Sequence, residues 1–284
     1  MNHTKICSLS LPLPGNEPLT IGAEGDRAST LLCQLGEMLC LPIHADMPQE
    51  CRTVLADDPA IKGIRRNVEN GTVVIRFNPA YISNYEKESY LMRVGVFGAY
   101  VLELHLTGRK DFALFHGTLL DEPDNQSILL FGESGVGKST TRNRWLQEGG
   151  SSVADDAILL YHENGKFYAR PLPTWSHWLE FGPVRRYPVM EKRELRRILW
   201  LTRGTVQEIV PAERMALYHC QLLSAMTLHC YATMRLFPAA ERYRVGDQFW
   251  NMVQTLGAVY PAEEFRAHLD YPLHKTIYGE EKVQ

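Results

Sequence analysis

The chain has 284 residues, 45% of them hydrophobic and 22% charged, which is the balance of an ordinary soluble globular protein with enough apolar material for a sizeable core. That composition excludes disordered and fibrous classes, and at about 150 residues per domain the length predicts about two domains. A formal net charge of −3, from 30 basic and 33 acidic side chains, provides no global positive field to recruit nucleic acid or an anionic membrane.

The longest uncharged apolar stretch, Val94 to Leu102, falls far short of the roughly 20 residues of a membrane helix. Pro12, Pro14 and Asn16 follow a brief apolar run and do not make a secretory signal. No nucleic-acid or membrane partner is therefore expected. Six cysteines form no CxxC pair and the ten histidines no HExxH, so zinc chemistry is not expected. The cysteines read as buried thiols of a cytoplasmic protein.

In chain order, residues 4–23 predict short strands and turns. Ser29 to Leu41 predicts a helix, with Leu31, Leu32, Leu35, Met38 and Leu39 at helical spacing. Gly71 to Phe77 is a β-branched strand signal, and Tyr85 to Leu106 reads as a helix weakened by Gly95 and Gly98. Phe112 to Leu120 predicts a strand, Asp121 to Gln126 a polar turn, and Ser127 to Phe131 a strand apolar enough to be covered on both faces. After a glycine-rich loop comes a helix of about ten residues that stops at Gly149-Gly150. Ser151 to Ala154 predicts a further strand ending on Asp155-Asp156, and a hairpin follows around Glu163-Asn164-Gly165. Ile198 to Leu201 predicts a strand. Pro211 to Cys230 and Ala240 to Val259 predict helices, Pro211 suiting a first turn, and the final dozen residues predict a frayed end. The organisation expected is a small α+β domain over residues 1–107 and an α/β domain over 108–284 that carries the readable chemistry.

That chemistry centres on Gly132-Glu133-Ser134-Gly135-Val136-Gly137-Lys138-Ser139-Thr140, whose first eight residues match GxxxxGK[ST]. The glycines let consecutive N–H groups face phosphate oxygens, and the following helix turns its positive end to the same anion. Lys138 is placed to reach the β- and γ-phosphates, and the Ser139 hydroxyl to ligate Mg²⁺. At ordinary glycine usage a random chain of this length matches on the order of once in a hundred times, and the strand–loop–helix context lowers that further. No NKxD or LSGGQ-like segment occurs, which disfavours switch GTPases and transporter ATPases. Asp155 and Asp156 follow Ser139 by 16 and 17 residues, enough for a helix, a turn and a strand that returns both carboxylates to the loop. One can serve Mg²⁺ while the other accepts a proton from an attacking hydroxyl.

His116-Gly117 on a strand, GESGVGKS after a turn, and Val153-Ala154-Asp155-Asp156 together resemble the kinase domain of HPr kinase/phosphorylase and related small P-loop kinases. That fold is also similar to the nucleotide site of phosphoenolpyruvate carboxykinase. The close matches cover residues 112–160, and a looser pattern continues through Arg170 to Pro173 and from Leu201 to Glu213. The resemblance implies an α/β P-loop kinase domain of this type, using ATP and Mg²⁺ to phosphorylate a Ser/Thr-type hydroxyl. It implies Asp156 as general base, Asp155 orienting the metal or its waters, His116 near the transferring phosphoryl group, and Glu180 as a second Mg²⁺ ligand. Thr140 and Glu133 depart from the Glu and Asp common in HPr kinases, and the glycine-rich signature around the glutamate is absent. These departures count against HPr as acceptor and against phosphorolysis, and leave both open. Related kinases tailor small ribosomal peptides, so a peptide or small-protein acceptor is the implied partner. HPr kinases assemble as oligomers, which implies a homo-oligomer, although no interface motif can be read in this chain. A small-molecule hydroxyl kinase and a nucleotide-binding switch without transfer remain the alternatives.

Arg185, Arg186, Lys192, Arg193, Arg196 and Arg197 form the one basic stretch. The acids among them favour a solvated, ion-paired surface over an anion guide. Trp175, His177 and Trp178 are dense enough to be core or a subunit contact.

Overall fold

The computed structural model describes residues 6–11, 18–49, 51–82, 112–173, 186–268 and 271–279. The expected helix Tyr85 to Leu106, together with Trp175, His177, Trp178, Glu180 and Arg185, lies outside the described residues. The chain divides into two compact units with interleaved sequence. One comprises Met1–Arg109, Pro173–Met190 and His229–Gly246, the other Lys110–Leu172, Glu191–Leu228 and Asp247–Gln284.

The first unit holds β1 (Ile6–Leu11), β2 (Leu19–Glu24), α1 (Asp26–Leu39), β3 (Ile43–His44), β4 (Thr53–Asp57), β5 (Ile64–Glu69) and β6 (Thr72–Phe77). The strands form a mixed sheet in the order β3-β1-β2-β4-β6-β5. Helix α1 buries Leu31, Leu32, Leu35, Met38 and Leu39, the stripe its periodicity predicts. It begins three residues earlier than expected because Asp57, at the end of β4, accepts the N–H groups of Arg27 (2.9 Å) and Ala28 (2.8 Å). A cap supplied from 30 residues away leaves no local signal. The helix closes on Cys40 in the left-handed region, with the Leu41 N–H returning to the Gly36 carbonyl, a Schellman ending.

The second unit is built on β7 (Phe112–Glu122), β8 (Gln126–Phe131), α2 (Lys138–Gln147), β9 (Asp155–Glu163), β10 (Lys166–Pro171), β11 (Arg193–Arg203), β12 (Glu208–Pro211), α3 (Met215–Thr227), β13 (Glu263–Ala267) and α6 (Leu273–Tyr278). Between them fall the short α4 (Tyr231–Met234) and α5 (Ala239–Val259), which begin in the stretch belonging to the first unit. The sheet order is β10-β9-β7-β8-β11-β13-β12, with β8, β11 and β13 parallel. Ile128, Leu129, Leu130 and Phe131 are fully buried, as an apolar run covered on both faces requires. On one face Ile128 and Leu130 pack with Trp145 of α2, Leu201, Phe265 and Leu273. On the other, the Phe131 ring meets Tyr218 of α3 edge-on at 5.3 Å.

Several expectations are corrected. Ser151 to Ala154 is not a strand but a single bridge from Ser151 to Asp121. Side chains of α2 claim this segment instead: Trp145 Nε1 donates to the Ser151 carbonyl and Arg142 Nε to Ser152 Oγ. The strand therefore starts at Asp155. Pro211 ends the edge strand β12, where its missing N–H is tolerated, and the helix opens only at Met215. The chain is ordered as α6 over Leu273–Tyr278, because Glu148 accepts the N–H groups of Leu273 and His274, both at 3.0 Å. The polar turn narrows to three residues, with Asp124 and Asn125 at φ of 61° and 58°, the backbone a tight hairpin needs. Of the six cysteines, Cys7, Cys51 and Cys230 are buried, Cys33 is half-buried, and Cys40 and Cys220 are exposed. Strands β4, β5, β12 and β13 had no recognised sequence signal. Among the described residues no helix is long and apolar enough to cross a membrane.

Candidate functional site

The glycine-rich loop joins the C-terminal end of β8 to the N-terminus of α2, with Gly137 at the N-cap. Gly132, Gly135 and Gly137 have φ of 154°, 77° and 117°. At Gly132 a Cβ would lie 2.7 Å from the Leu201 carbonyl oxygen of β11, so the neighbouring strand leaves room only for hydrogen. We expect Gly132→Ala to strain this position by about 1–3 kcal/mol and to weaken phosphate binding, readable as lost ATP affinity in a chain that still melts cooperatively.

The first turn of α2 carries neither an acidic residue nor a side-chain cap on its amides. Its donors and partial positive charge are therefore available to an anion. Lys138 is 7% exposed, and its Nζ donates to the carbonyls of Gly132 and Glu133, both at 3.0 Å. Burial pushes the ammonium below the usual lysine range, against the pull of Asp156 and Asp155. A buried cation held only by neutral carbonyls and nearby carboxylates suits an incoming phosphate.

The rest of the loop is fixed from outside. Gln221 of α3 donates to Glu133 Oε1 at 3.1 Å, and Arg203 at the end of β11 donates to the Gly135 carbonyl at 2.8 Å. Val136 packs against the core between the sheet and α2, whereas Ser134, Ser139 and Thr140 are exposed. A cavity of about 480 Å³ flanks the loop, with Trp200, Thr202, Arg203, Arg214 and Leu217 on its far wall.

Both aspartates return to this loop, as the 17-residue spacing predicts. Asp155 pairs in register with Thr118 of β7 and is 3% exposed. Its Oδ1 accepts a hydrogen bond from the Thr118 hydroxyl and another from Ser139 Oγ at 3.4 Å. Asp156 has a φ of 85°, a conformation that costs a non-glycine residue energy and recurs at functional sites. His116 on β7 holds it there: the imidazole Nδ1 lies 2.9 Å from Asp156 Oδ1 and 3.1 Å from the Asp156 carbonyl oxygen. Two acceptors on one nitrogen assign the proton to Nδ1.

The structure thus brings together the loop residues 132–140, Asp155, Asp156 and His116, whereas Glu180 lies outside the described residues. Sequence reasoning missed Thr118 as the partner of Asp155. The signal was present, since Thr118 stands two residues after His116 and shares its strand face. It missed Gln221 and Arg203 because their loop contacts come from distant segments. Part of the basic stretch is ion-paired. Lys192, Arg193, Arg196 and Arg197 lie within 2.5–3.7 Å of Glu163, Asp121, Glu191, Glu122 or Glu263, the ion-paired surface its interleaved acids suggest.

No curated protein matches the chain. Among solved structures, the HPr(Ser) kinase/phosphatase from Coxiella burnetii is similar at 21% identity and a TM-score of 0.25, over 36% of this chain and 71% of that one. The model of a family described as SynChlorMet cassette protein ScmC matches residues 86–262, a span that takes in the loop, both aspartates, His116 and the helices behind them. The chain belongs to the ScmC family.

Proposed function

We propose that the chain is an ATP-dependent phosphotransferase that moves the γ-phosphoryl group to a Ser/Thr-type hydroxyl, on a peptide or small protein. The observation that carries this reading is the division of labour between adjacent aspartates. Asp155 is buried against Thr118 and Ser139, whereas Asp156 is a third exposed and oriented by His116.

In this reading the amides of residues 132–139, the N-terminus of α2 and Lys138 bind the donor phosphates. Ser139 and Asp155 are the residues that would hold Mg²⁺, whose charge would neutralise the phosphates during transfer; their hard oxygen donors fit it. Asp156 accepts the acceptor hydroxyl's proton. The acceptor oxygen then forms its bond to the γ-phosphorus as the bond to the β-phosphate's bridging oxygen breaks, and ADP leaves. His116 fixes the carboxylate through Nδ1. Lys138 counters the charge that develops on the departing phosphate.

The family's description as a cassette protein supports seeking the acceptor among products encoded beside it. Incubation with Mg-ATP and either those peptides or free hydroxy metabolites, read by mass spectrometry, tests the acceptor class. Phosphorylated peptide is the expected result. Phosphorylated metabolite would redirect the reading to a small-molecule kinase, and nucleotide binding without transfer to a switch.

A further inference from the structure

The cavity of about 480 Å³ beside the phosphate loop is of a size that takes a small molecule. Register sets its place in the sheet. Asp155 pairs with Thr118, Thr118 with Leu130, and Leu130 with Leu199. One row of residues therefore crosses the loop end of the sheet. The aspartates stand at its β9 end, and the β11 wall of the cavity begins one residue past its other end, about 14 Å away at the usual strand spacing. The loop lies between them, at the end of β8.

In-line transfer puts the acceptor oxygen and the departing diphosphate on opposite sides of the γ-phosphorus. With the acceptor on the Asp156 side, the diphosphate and the nucleoside behind it point towards β11 and this cavity. An acidic side chain of an acceptor is the other anion that a cationic wall could hold. From this side, however, it would reach the diphosphate before the γ-phosphorus.

The far wall is cationic and aromatic. Elsewhere in this unit Arg193, Arg196, Arg197 and Arg266 are ion-paired. Arg203 and Arg214 have no carboxylate partner among the described residues. Arg203 donates to the Gly135 carbonyl at 2.8 Å through one nitrogen, and the exposed Arg214 guanidinium lies over the Trp200 ring, 5.9 Å from its centre. The acid that lines the cavity, Glu133, already has Oε1 on Gln221 at 3.1 Å. Trp200 is 5% exposed and meets Tyr218 edge-on at 6.4 Å between ring centres, so it backs the arginine rather than meeting a ligand itself. A guanidinium steadied on an aromatic ring is a platform on which a base stacks. The remaining donors of Arg203 suit a phosphate oxygen.

We infer that this cavity receives the nucleoside end of the phosphoryl donor, with the base stacked on Arg214 and a phosphate oxygen met by Arg203. The inference rests on the phosphoryl-transfer reading for the direction in which the donor lies. It adds that affinity for the donor has a part carried by Arg214 that the phosphates do not supply.

The test is calorimetric titration of the full chain, in Mg²⁺, with ADP and with inorganic pyrophosphate. ADP is expected to bind at least about tenfold more tightly, the scale of one stacked base. Arg214→Gln removes the guanidinium and, since the Arg214 side chain makes no cap bond to α3, leaves the helix end as it is. It should weaken ADP about tenfold and leave pyrophosphate within about threefold. Arg214→Lys keeps the charge without the planar group and should not restore ADP, whereas Lys138→Ala should weaken both ligands. Equal affinity of the parent for ADP and pyrophosphate, equal loss of both in Arg214→Gln, or full ADP affinity in both Arg214 variants would overturn the inference and leave the phosphate loop's role standing. The expected pattern without transfer to any hydroxyl would instead sink the kinase reading alone, and binding of neither ligand would sink both.

Discussion

Replacing Lys138 with alanine is expected to cut phosphoryl transfer by at least about a hundredfold, the scale on which removal of a single preorganised donor acts. It should weaken ATP binding as well. The effect is large because the lysine is buried and already desolvated before phosphate arrives, so little reorganisation is needed when it binds. The sign of the accompanying pH effect follows from the same burial. The free protein holds the ammonium below the ordinary lysine range, and a bound phosphate favours the charged form. ATP binding should therefore be accompanied by proton uptake at pH values where the free protein's lysine is partly deprotonated. Affinity should fall with rising pH earlier than an ordinary lysine would dictate. Calorimetry in buffers of different ionisation enthalpy measures this uptake; proton release on binding would contradict it.

The second large effect belongs to Asp156. Asparagine preserves the shape of the side chain and tolerates the positive φ of 85°, yet it cannot take a proton. We expect Asp156→Asn to lower kcat by about 10²–10⁴-fold, the usual contribution of a positioned base, with ATP affinity within about threefold of the parent because the loop amides and the lysine side chain are all retained. Normal transfer by this variant would remove Asp156 from the base role. His116→Ala should act in the same direction but less strongly. It removes the donor that holds the carboxylate at 2.9 Å, not the carboxylate itself.

The parts of this site readable from sequence were those whose determinants are local. A strand, a glycine loop and a helix occupy consecutive residues 126–147, and the short separation from Ser139 to Asp156 leaves the chain little choice but to bring the aspartates back. His116 was singled out only through the family resemblance, and the structure places its ring on Asp156. What stayed hidden depends on partners far along the chain. The early start of α1 needs Asp57, and the order of α6 needs the Glu148 carboxylate on Leu273 and His274. Strand β13 pairs with β11 across more than 60 residues. Pro211 misled because the same fixed φ that suits a first helical turn suits an edge strand equally.

The central claim is that this loop and its two aspartates move a phosphoryl group to a hydroxyl, and its most direct test is the fate of the γ-phosphate. The purified chain would be incubated with Mg²⁺, γ-labelled ATP and a pool of co-encoded peptides, with Asp156→Asn alongside. Label is expected in an acid-stable phosphoester on the acceptor, formed by the parent and nearly absent with the variant. Label that remains in ATP, or that appears only as inorganic phosphate at equal rates in both proteins, would contradict it.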